Sequence, residues 1–490
     1  MSERRYSDGY RKLRPADEPR RIAYEVLHEV ATQGAFANII LPKALRQARR
    51  EGHFSDRDAA FTSELVHGTL RAIGRLDWVI ARHVDRPLAD LDPRVLVLAR
   101  MGAHQLLDMR VPDHAAVSAT VDVAREHLTD GPVRFINAVL RSITREGPGE
   151  REAALEAIED EDEALGVRYS HPSWMVRAFR EALVAHGYPA GELIDVLKAD
   201  NEVPTVTLVA RPSLMTVDEL ADEAEDVLDT RVAFGTVSPY AVLLESGDPA
   251  RLPSIRDGRC GAQDEGSQLA ALIAASAPLD GGRDERWLDL CAGPGGKAAM
   301  LAGLAANVGA RVTANEVHPH RARLVERTTR LLDSIEVVSG DGRSFGGGQS
   351  AWPLASFDRV IVDAPCSGMG SMRRRPESRW NRTPADVAEL TQLQHELTER
   401  AVALTRPGGV LTYVTCSPHA AETREQVERL TQRGEVELLD TVALANDCCP
   451  APLDVPASAG VIAGSQGRTL QLWDHRFGTD LMFVACMRKR

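Results

Sequence analysis

The chain has 490 residues, 43% of them hydrophobic and 26% charged, which excludes a mainly disordered or fibrous protein and leaves room for two to four domains. No apolar run reaches the ~18 residues of a membrane helix, and the first twenty residues, rich in Arg, Asp and Glu, lack the apolar stretch of a secretory signal, so a cytoplasmic protein is expected. A net charge of −13 excludes a uniformly basic nucleic-acid coat and confines any such contact to local patches. Seven cysteines form neither a disulfide scaffold nor a C-x-x-C pair, and His318 and His320 stand alone, so no metal site is expected.

From about Pro19 to Arg145 apolar residues recur at helical spacing (Ala23, Val26, Leu27, Val30), with further stripes over Leu65 to Ile80, Val95 to Met109 and Val117 to Val123. Residues 1–146 therefore read as an all-α domain. Its first fifty residues carry an arginine surplus (Arg4, Arg5, Arg11, Arg14, Arg20, Arg21, Arg46, Arg49, Arg50), which suits either an RNA-facing surface or a solvated helix face. Residues 147–166 turn acidic and read as a charged linker with some helix. Residues 167–261 mix helices at Trp174 to Ala185 and Val217 to Val227 with strands at Thr205 to Ala210 and near Val232 and Val242, a small α+β domain.

Residues 262–490 alternate strand and helix. Strands are expected at Trp287 to Cys291, Arg311 to Asn315, Glu336 to Ser339, Phe357 to Val362, Gly409 to Thr415, Val436 to Leu439 and Asp480 to Cys486, with the helix before the fifth over Pro384 to Thr405 and the next over Ala420 to Arg433. Such alternation predicts an α/β doubly wound, Rossmann-like sheet, which binds its ligands beyond the carboxyl ends of the strands.

Three motifs fall at those ends. Asp289-Leu-Cys-Ala-Gly-Pro-Gly-Gly-Lys297 takes the first strand through a glycine-rich turn into a helix, which lets the backbone approach an adenosyl cofactor. Glu316 ends the second strand, where a carboxylate can accept from ribose hydroxyls. The spacing Gly293-x-Gly295-x-x-Ala298 does not by itself separate NAD from S-adenosylmethionine. Asp341 ends the third strand and reads equally as an adenine contact or as a turn residue. Asp363-Ala-Pro-Cys-Ser-Gly368 and Thr415-Cys-Ser-Pro418 place Cys366 and Cys416 at neighbouring strand ends. A thiolate adding to carbon 6 of cytosine makes carbon 5 nucleophilic enough to take a methyl group, which gives two such cysteines a purpose. Cys260, Cys291, Cys448, Cys449 and Cys486 read as small buried hydrophobes.

The three motifs, in this order, resemble the Nol/Nop/Sun family of RNA cytosine-5 methyltransferases, and the helical N-terminal region resembles the antitermination factor NusB. Together these likenesses cover nearly the whole chain and point to the branch that methylates small-subunit rRNA. Further matches are Ala262-Gln-Asp-Glu-Gly-Ser-Gln268, Arg374-Arg-Pro-Glu-Ser-Arg-Trp380 and Thr479-Asp-Leu-Met-Phe-Val-Ala485. The resemblance implies an all-α NusB-like RNA-binding domain, a small α+β domain and a methyltransferase domain. It implies S-adenosylmethionine as cofactor, held by Cys291, Ala292, Gly293, Pro294, Gly295, Gly296, Lys297, Glu316, Asp341 and Asp363, and 16S rRNA, naked or in a partly assembled subunit, as partner. Cys416 resembles the nucleophile, with Cys366 the alternative because DNA cytosine methyltransferases use the Pro-Cys motif. Cys366 otherwise resembles the cysteine that releases the enzyme, and Asp363 the residue that orients the cytosine. Asp474 and Leu481 depart from the family pattern. The arginine-rich loop Met372 to Arg379, beside Trp380, is expected to grip RNA. A tRNA methyltransferase and an RNA-binding assembly factor remain alternatives, and an NAD-dependent oxidoreductase would leave both cysteine motifs unexplained.

Overall fold

The computed structural model describes residues 16–52 and 54–490, so Arg4, Arg5, Arg11 and Arg14 lie outside the described residues. The described residues form two compact units: those up to 176 with 375–380, and residues 177–374 with 381–490.

The first unit is helical. Helices Glu18–Gln33, Ala37–Glu51, Asp56–Arg71, Ile73–Ala81, Pro93–Leu107, Asp113–His127 and Asp130–Arg145 bury the apolar stripes read from the sequence in one core, including Leu65, Leu76, Leu98, Met101 and Ile136. Starts and stops follow local chemistry. Asp17 accepts from the Arg20 amide at 3.1 Å to cap the first helix, Ser55 and Asp58 form a capping box on the third, and Gly34 ends the first helix at φ 64°. The acidic stretch 147–166 forms helices Pro148–Glu156 and Glu161–Tyr169, both within this unit. Asp160 and the acids at positions 161–163 suit the amino end of the second of them.

Residues 375–380 also belong to the first unit, although the chain on either side of them belongs to the second. In this strap Glu377 accepts from the Ala37 amide at 3.1 Å, and Arg379, fully buried, donates to the Ser170 carbonyl at 3.2 Å. The Trp380 ring fills the space left by Gly74, where a Cβ would come within 2.4 Å of it. The loop expected to grip RNA is therefore largely internal. Of its arginines, Arg375 alone is exposed, 5.1 Å over the Phe36 ring.

The second unit holds two sheets. Strands β1 (Val206–Ala210), β2 (Val232–Phe234), β3 (Ala241–Leu244) and β4 (Cys260–Ala262) form a small antiparallel sheet in the order β2-β3-β1-β4. The larger sheet comprises β5 (Arg286–Asp289), β6 (Arg311–Asn315), β7 (Ile335–Val338), β8 (Phe357–Asp363), β9 (Thr405–Thr415), β10 (Val436–Leu438), β11 (Leu470–Gln471) and β12 (Phe483–Lys489). Its order is β10-β12-β9-β8-β5-β6-β7, with β11 pairing β12. Strands β5 to β9 pair in parallel, as the doubly wound reading requires, and β12 runs antiparallel to β9, making the sheet mixed. The parallel strands are apolar on both faces because each face is covered: Val360, Val362 and Leu411 lie in one core, Ile361, Val410 and Val414 in the other.

The two sheets share one unit although residues 167–261 and 262–490 read as separate segments. Glu265, on helix Glu265–Ser276, accepts from the amides of Val237 and Ser238 at 2.9 and 3.0 Å, and Arg211 donates to the Thr328 carbonyl at 2.7 Å. At the end of helix Ser173–Ala185, the buried His186 donates from Nε2 to the Pro418 carbonyl at 3.0 Å, bracing the loop that follows β9.

Burial pushes the His186 pKa down to about 4, so its contribution to stability is complete above pH 6.5 and is lost as pH falls toward 4. The full span is of order 3 kcal/mol. In a pH series of thermal unfolding, His186→Gln, whose amide can donate to Pro418 but does not titrate, should show a smaller loss of stability between pH 6.5 and 5 than the native protein.

Candidate active site

The site lies where β5, β6, β8 and β9 end. β5 stops at Asp289 and the chain turns through Gly293, Pro294 and Gly295 into helix Gly296–Val308. Gly295 has φ 111°, a conformation that side chains resist. At Gly293 a Cβ would lie 2.1 Å from Glu316 Oε2, so glycine is needed for close approach. The Gly293 amide donates to that oxygen at 3.1 Å, and the His318 amide donates to Oε1 at 2.9 Å. Glu316 is thereby buried and fixed at the end of β6, with Arg321 at 3.5 Å. Asp341, in contrast, is half-exposed and chelated by Arg343, which donates to its two oxygens at 3.0 and 2.6 Å; it also caps the turn Gly342–Ser344.

These residues suit a polar, partly cationic adenosyl ligand. The Asp289 carboxyl is fully buried, and its Oδ2 has no hydrogen-bond partner in the protein. Burial, reinforced by the charge of Asp363, raises its pKa to about 7. An orphaned buried carboxyl oxygen beside a side-chain-free turn is the feature a ligand would complete.

β8 and β9 pair in parallel with Asp363 opposite Val414, which brings their following loops side by side. The Gly370 amide donates to the Cys416 carbonyl at 2.9 Å, and a Cβ on Gly370 would strike the Leu481 carbonyl at 2.2 Å. The Cys366 and Cys416 sulfurs lie 3.4 Å apart. Lys297 Nζ donates to Asp363 Oδ2 at 3.0 Å. Burial opposes the Lys297 charge, but Asp363, Cys416 and Asp289 outweigh it and hold its pKa above the ordinary lysine value.

The two thiols are unequal. The hydrogen bond from Cys366 lowers the Cys416 pKa, against burial and the charge of Asp363, and Lys297 adds to the lowering. The same hydrogen bond, together with burial and the charges of Cys416 and Glu422, raises Cys366 well above the ordinary cysteine range. The hydrogen bond between the sulfurs, the largest influence on each, makes Cys416 the anionic partner and Cys366 the protonated one. Cys291, expected in the cofactor turn, is likewise pushed up by burial.

Several site residues were missed in the sequence. Glu422, Ser367, Ser417 and Gln394 form a buried hydrogen-bonded cluster behind the cysteines. Arg373 and Arg374 pair with Asp480 at 3.2 and 2.9 Å, and Arg374 pairs with Asp264 at 2.8 Å, holding the loop after Cys366. Their signal was the Arg374 and Asp480 matches, which gave no hint of mutual contact. Of the two departures, Asp474 is buried and opens the short helix Asp474–Phe477, and the Leu481 amide donates to the Gly370 carbonyl at 2.8 Å. Among the described residues no cluster of His, Cys, Asp or Glu could hold a metal ion, and no helix is long and apolar enough to cross a membrane.

Residues 277–488 match the family 16S rRNA methyltransferase RsmB/F, and residues 17–145 match the NusB family. A Mycobacterium tuberculosis chain, Rv1407, is 47% identical over 98% of both chains. The probable ribosomal RNA small subunit methyltransferase B of Bacillus subtilis is 31% identical over 96% of this chain and 98% of its own. The ribosomal RNA small subunit methyltransferase B of Erwinia tasmaniensis is 33% identical over 86% of this chain and 92% of its own. The crystal structure of PH0851 shares the fold, with a TM-score of 0.76 and 21% identity over 97% of this chain and 99% of that one. With a NusB-family domain ahead of a mixed sheet that carries the glycine turn and both cysteine loops, the chain belongs to the RsmB/F family of S-adenosylmethionine-dependent 16S rRNA methyltransferases.

Proposed function

We propose that this protein methylates carbon 5 of a cytosine in 16S rRNA, naked or within a partly assembled subunit, through a covalent bond between Cys416 and carbon 6 of the ring, and that it works in the cytoplasm. The observation that carries this reading is the 3.4 Å sulfur pair, whose hydrogen bond lowers the Cys416 pKa and raises that of Cys366, at strand ends that also hold the Lys297–Asp363 pair. Unequal thiols at this spacing suit two successive roles.

Cys416 adds as thiolate to carbon 6, and the electron pair displaced from the 5,6 double bond makes carbon 5 nucleophilic. S-adenosylmethionine, when bound, supplies the methyl group that carbon 5 takes. Cys291 to Lys297, Glu316, Asp341 and Asp363 are the residues proposed to hold it. Asp363, whose Oδ2 accepts from Lys297, leaves Oδ1 to accept from the cytosine amino edge. Release needs the carbon 5 proton to leave and the Cys416–carbon 6 bond to break, restoring the double bond and the thiolate. Once Cys416 is a neutral thioether, the largest influence raising the Cys366 pKa, its hydrogen bond to Cys416, is gone along with the Cys416 charge. Burial and Glu422 still oppose its ionisation, so Cys366 gives its own proton to solvent and, as thiolate, then accepts the carbon 5 proton. The target base must leave its stack to reach Cys416, at a cost of a few kcal/mol unless the RNA is already open.

The test is incubation with methyl-labelled S-adenosylmethionine and, separately, undermethylated small-subunit rRNA, small ribosomal subunits and tRNA, followed by digestion. Labelled 5-methylcytosine at one rRNA position is the expected product; label in tRNA alone, or in another nucleoside, overturns the substrate. Cys416→Ala should reduce methylation to background while S-adenosylmethionine binding by calorimetry is unchanged. Cys366→Ala should accumulate a protein–RNA species that migrates slowly on a denaturing gel, and its absence under turnover conditions would remove Cys366 from the release step.

A further inference from the structure

Glu422 lies six residues after Cys416 at the end of the turn Ala420–Glu422 and is fully buried. Its Oε1 accepts from the Ser367 amide at 2.8 Å and from Gln394 Nε2 at 3.1 Å, and its Oε2 from the hydroxyls of Ser367 and Ser417 at 2.5 and 2.6 Å. Four donors fill the capacity of a carboxylate. Ser367 directly follows Cys366, and Ser417 directly follows Cys416, so one side chain grips both cysteine loops next to their sulfurs.

The grip is itself anchored. The Tyr413 hydroxyl, from β9, donates to the Glu422 carbonyl at 2.6 Å, and Gln394, from helix Pro384–Leu404, also donates to the Pro365 carbonyl at 2.8 Å, just before Cys366. His186 and Thr423 fix the far side of the Cys416 loop. A buried carboxylate met by neutral donors is a poor stabiliser compared with an apolar replacement, but its bond geometry is directional and holds its partners in one arrangement.

We propose that Glu422 is a positioning residue of the methyl transfer, bridging Ser367 and Ser417 so that the Cys366 and Cys416 sulfurs keep their mutual spacing. The inference rests on the two-cysteine reading above and adds to it the group that sets the spacing. Glu422 does not touch the reacting atoms; it acts through the backbones of the two loops.

The test uses the full chain with Glu422→Ala, Glu422→Gln and Ser417→Ala. Spacing is read without RNA, as the rate at which diamide, a thiol oxidant, joins Cys366 to Cys416 in a disulfide mapped on non-reduced peptides; bond formation needs the sulfurs to close to about 2.05 Å. Glu422→Ala should slow this by about tenfold and lower kcat by about 10²-fold, with the KM for RNA and the affinity for S-adenosylmethionine within about twofold of native. Glu422→Gln, whose amide can still accept from the Ser367 amide and donate to the two hydroxyls, should keep both rates within about threefold. A Glu422→Ala protein with native disulfide rate and native kcat overturns the proposal. So does a parallel loss of kcat and cofactor affinity, the mark of a merely structural role. If Glu422→Ala does not fold, Ser417→Ala decides: slower disulfide formation with lower kcat supports the bridge, and native values overturn it. An active Cys416→Ala enzyme alongside slow disulfide formation in Glu422→Ala would refute the two-cysteine chemistry and leave the bridge standing.

Discussion

The parallel register between β8 and β9, with Asp363 beside Val414, is the constraint on which the site depends. Parallel neighbours end at the same edge of the sheet, so any two loops that leave them begin side by side. Two cysteines fifty residues apart in the chain thereby come within van der Waals reach, and Lys297, from the helix after β5, reaches the same edge. A slip of one residue would turn the side chains of one strand to the opposite face and separate the sulfurs. The apolar cores on both faces of the sheet set against that slip the burial of Val360, Ile361, Val362, Val410, Leu411 and Val414.

Electrostatics then distinguishes two chemically identical groups. The hydrogen bond between the two sulfurs and their burial weigh most in the character of each. Lys297, from the helix after β5, and Glu422, from beyond β9, add smaller contributions to the bias of the shared proton toward Cys366. Asp363 tempers the bias, since its carboxylate both holds Lys297 and repels the Cys416 thiolate. The pair is thus influenced by residues from several distant segments of sequence, of which Glu422 is fully and Lys297 largely removed from bulk water.

Much of this architecture was legible in the residues, for reasons that also mark where legibility stopped. The buried strands show as runs such as Val360-Ile-Val362, and the glycine turn shows because its backbone tolerates no side chain. Asp480 to Cys486 reads as a strand, but β12 begins only at Phe483, leaving Asp480 to meet Arg373 and Arg374. The helix expected from Ala420 is a tight turn followed, after Thr423, by helix Arg424–Gln432, and that break is what turns Glu422 inward. In sequence Glu422 sits in Ala-Ala-Glu-Thr-Arg-Glu, inside the stretch expected as one continuous helix over Ala420 to Arg433. The arginines of the loop Met372 to Arg379 show the same limit: charge in a local window says nothing about a partner a hundred or more residues away.

The strap at residues 375–380 gives the polypeptide an interlaced connectivity. The chain passes from one unit to the other after residue 176, returns at 375 and crosses again after 380. Genetic dissection at a single boundary cannot separate such units cleanly. A catalytic fragment begun near Arg177 would carry Glu377 and Arg379 as ionic groups stripped of the helical backbone that satisfies them, and the helical fragment would expose the hollow over Gly74 that Trp380 occupies. The chain thus divides into four segments, two to each unit, and exchange or truncation of either unit has to cut at three boundaries rather than one.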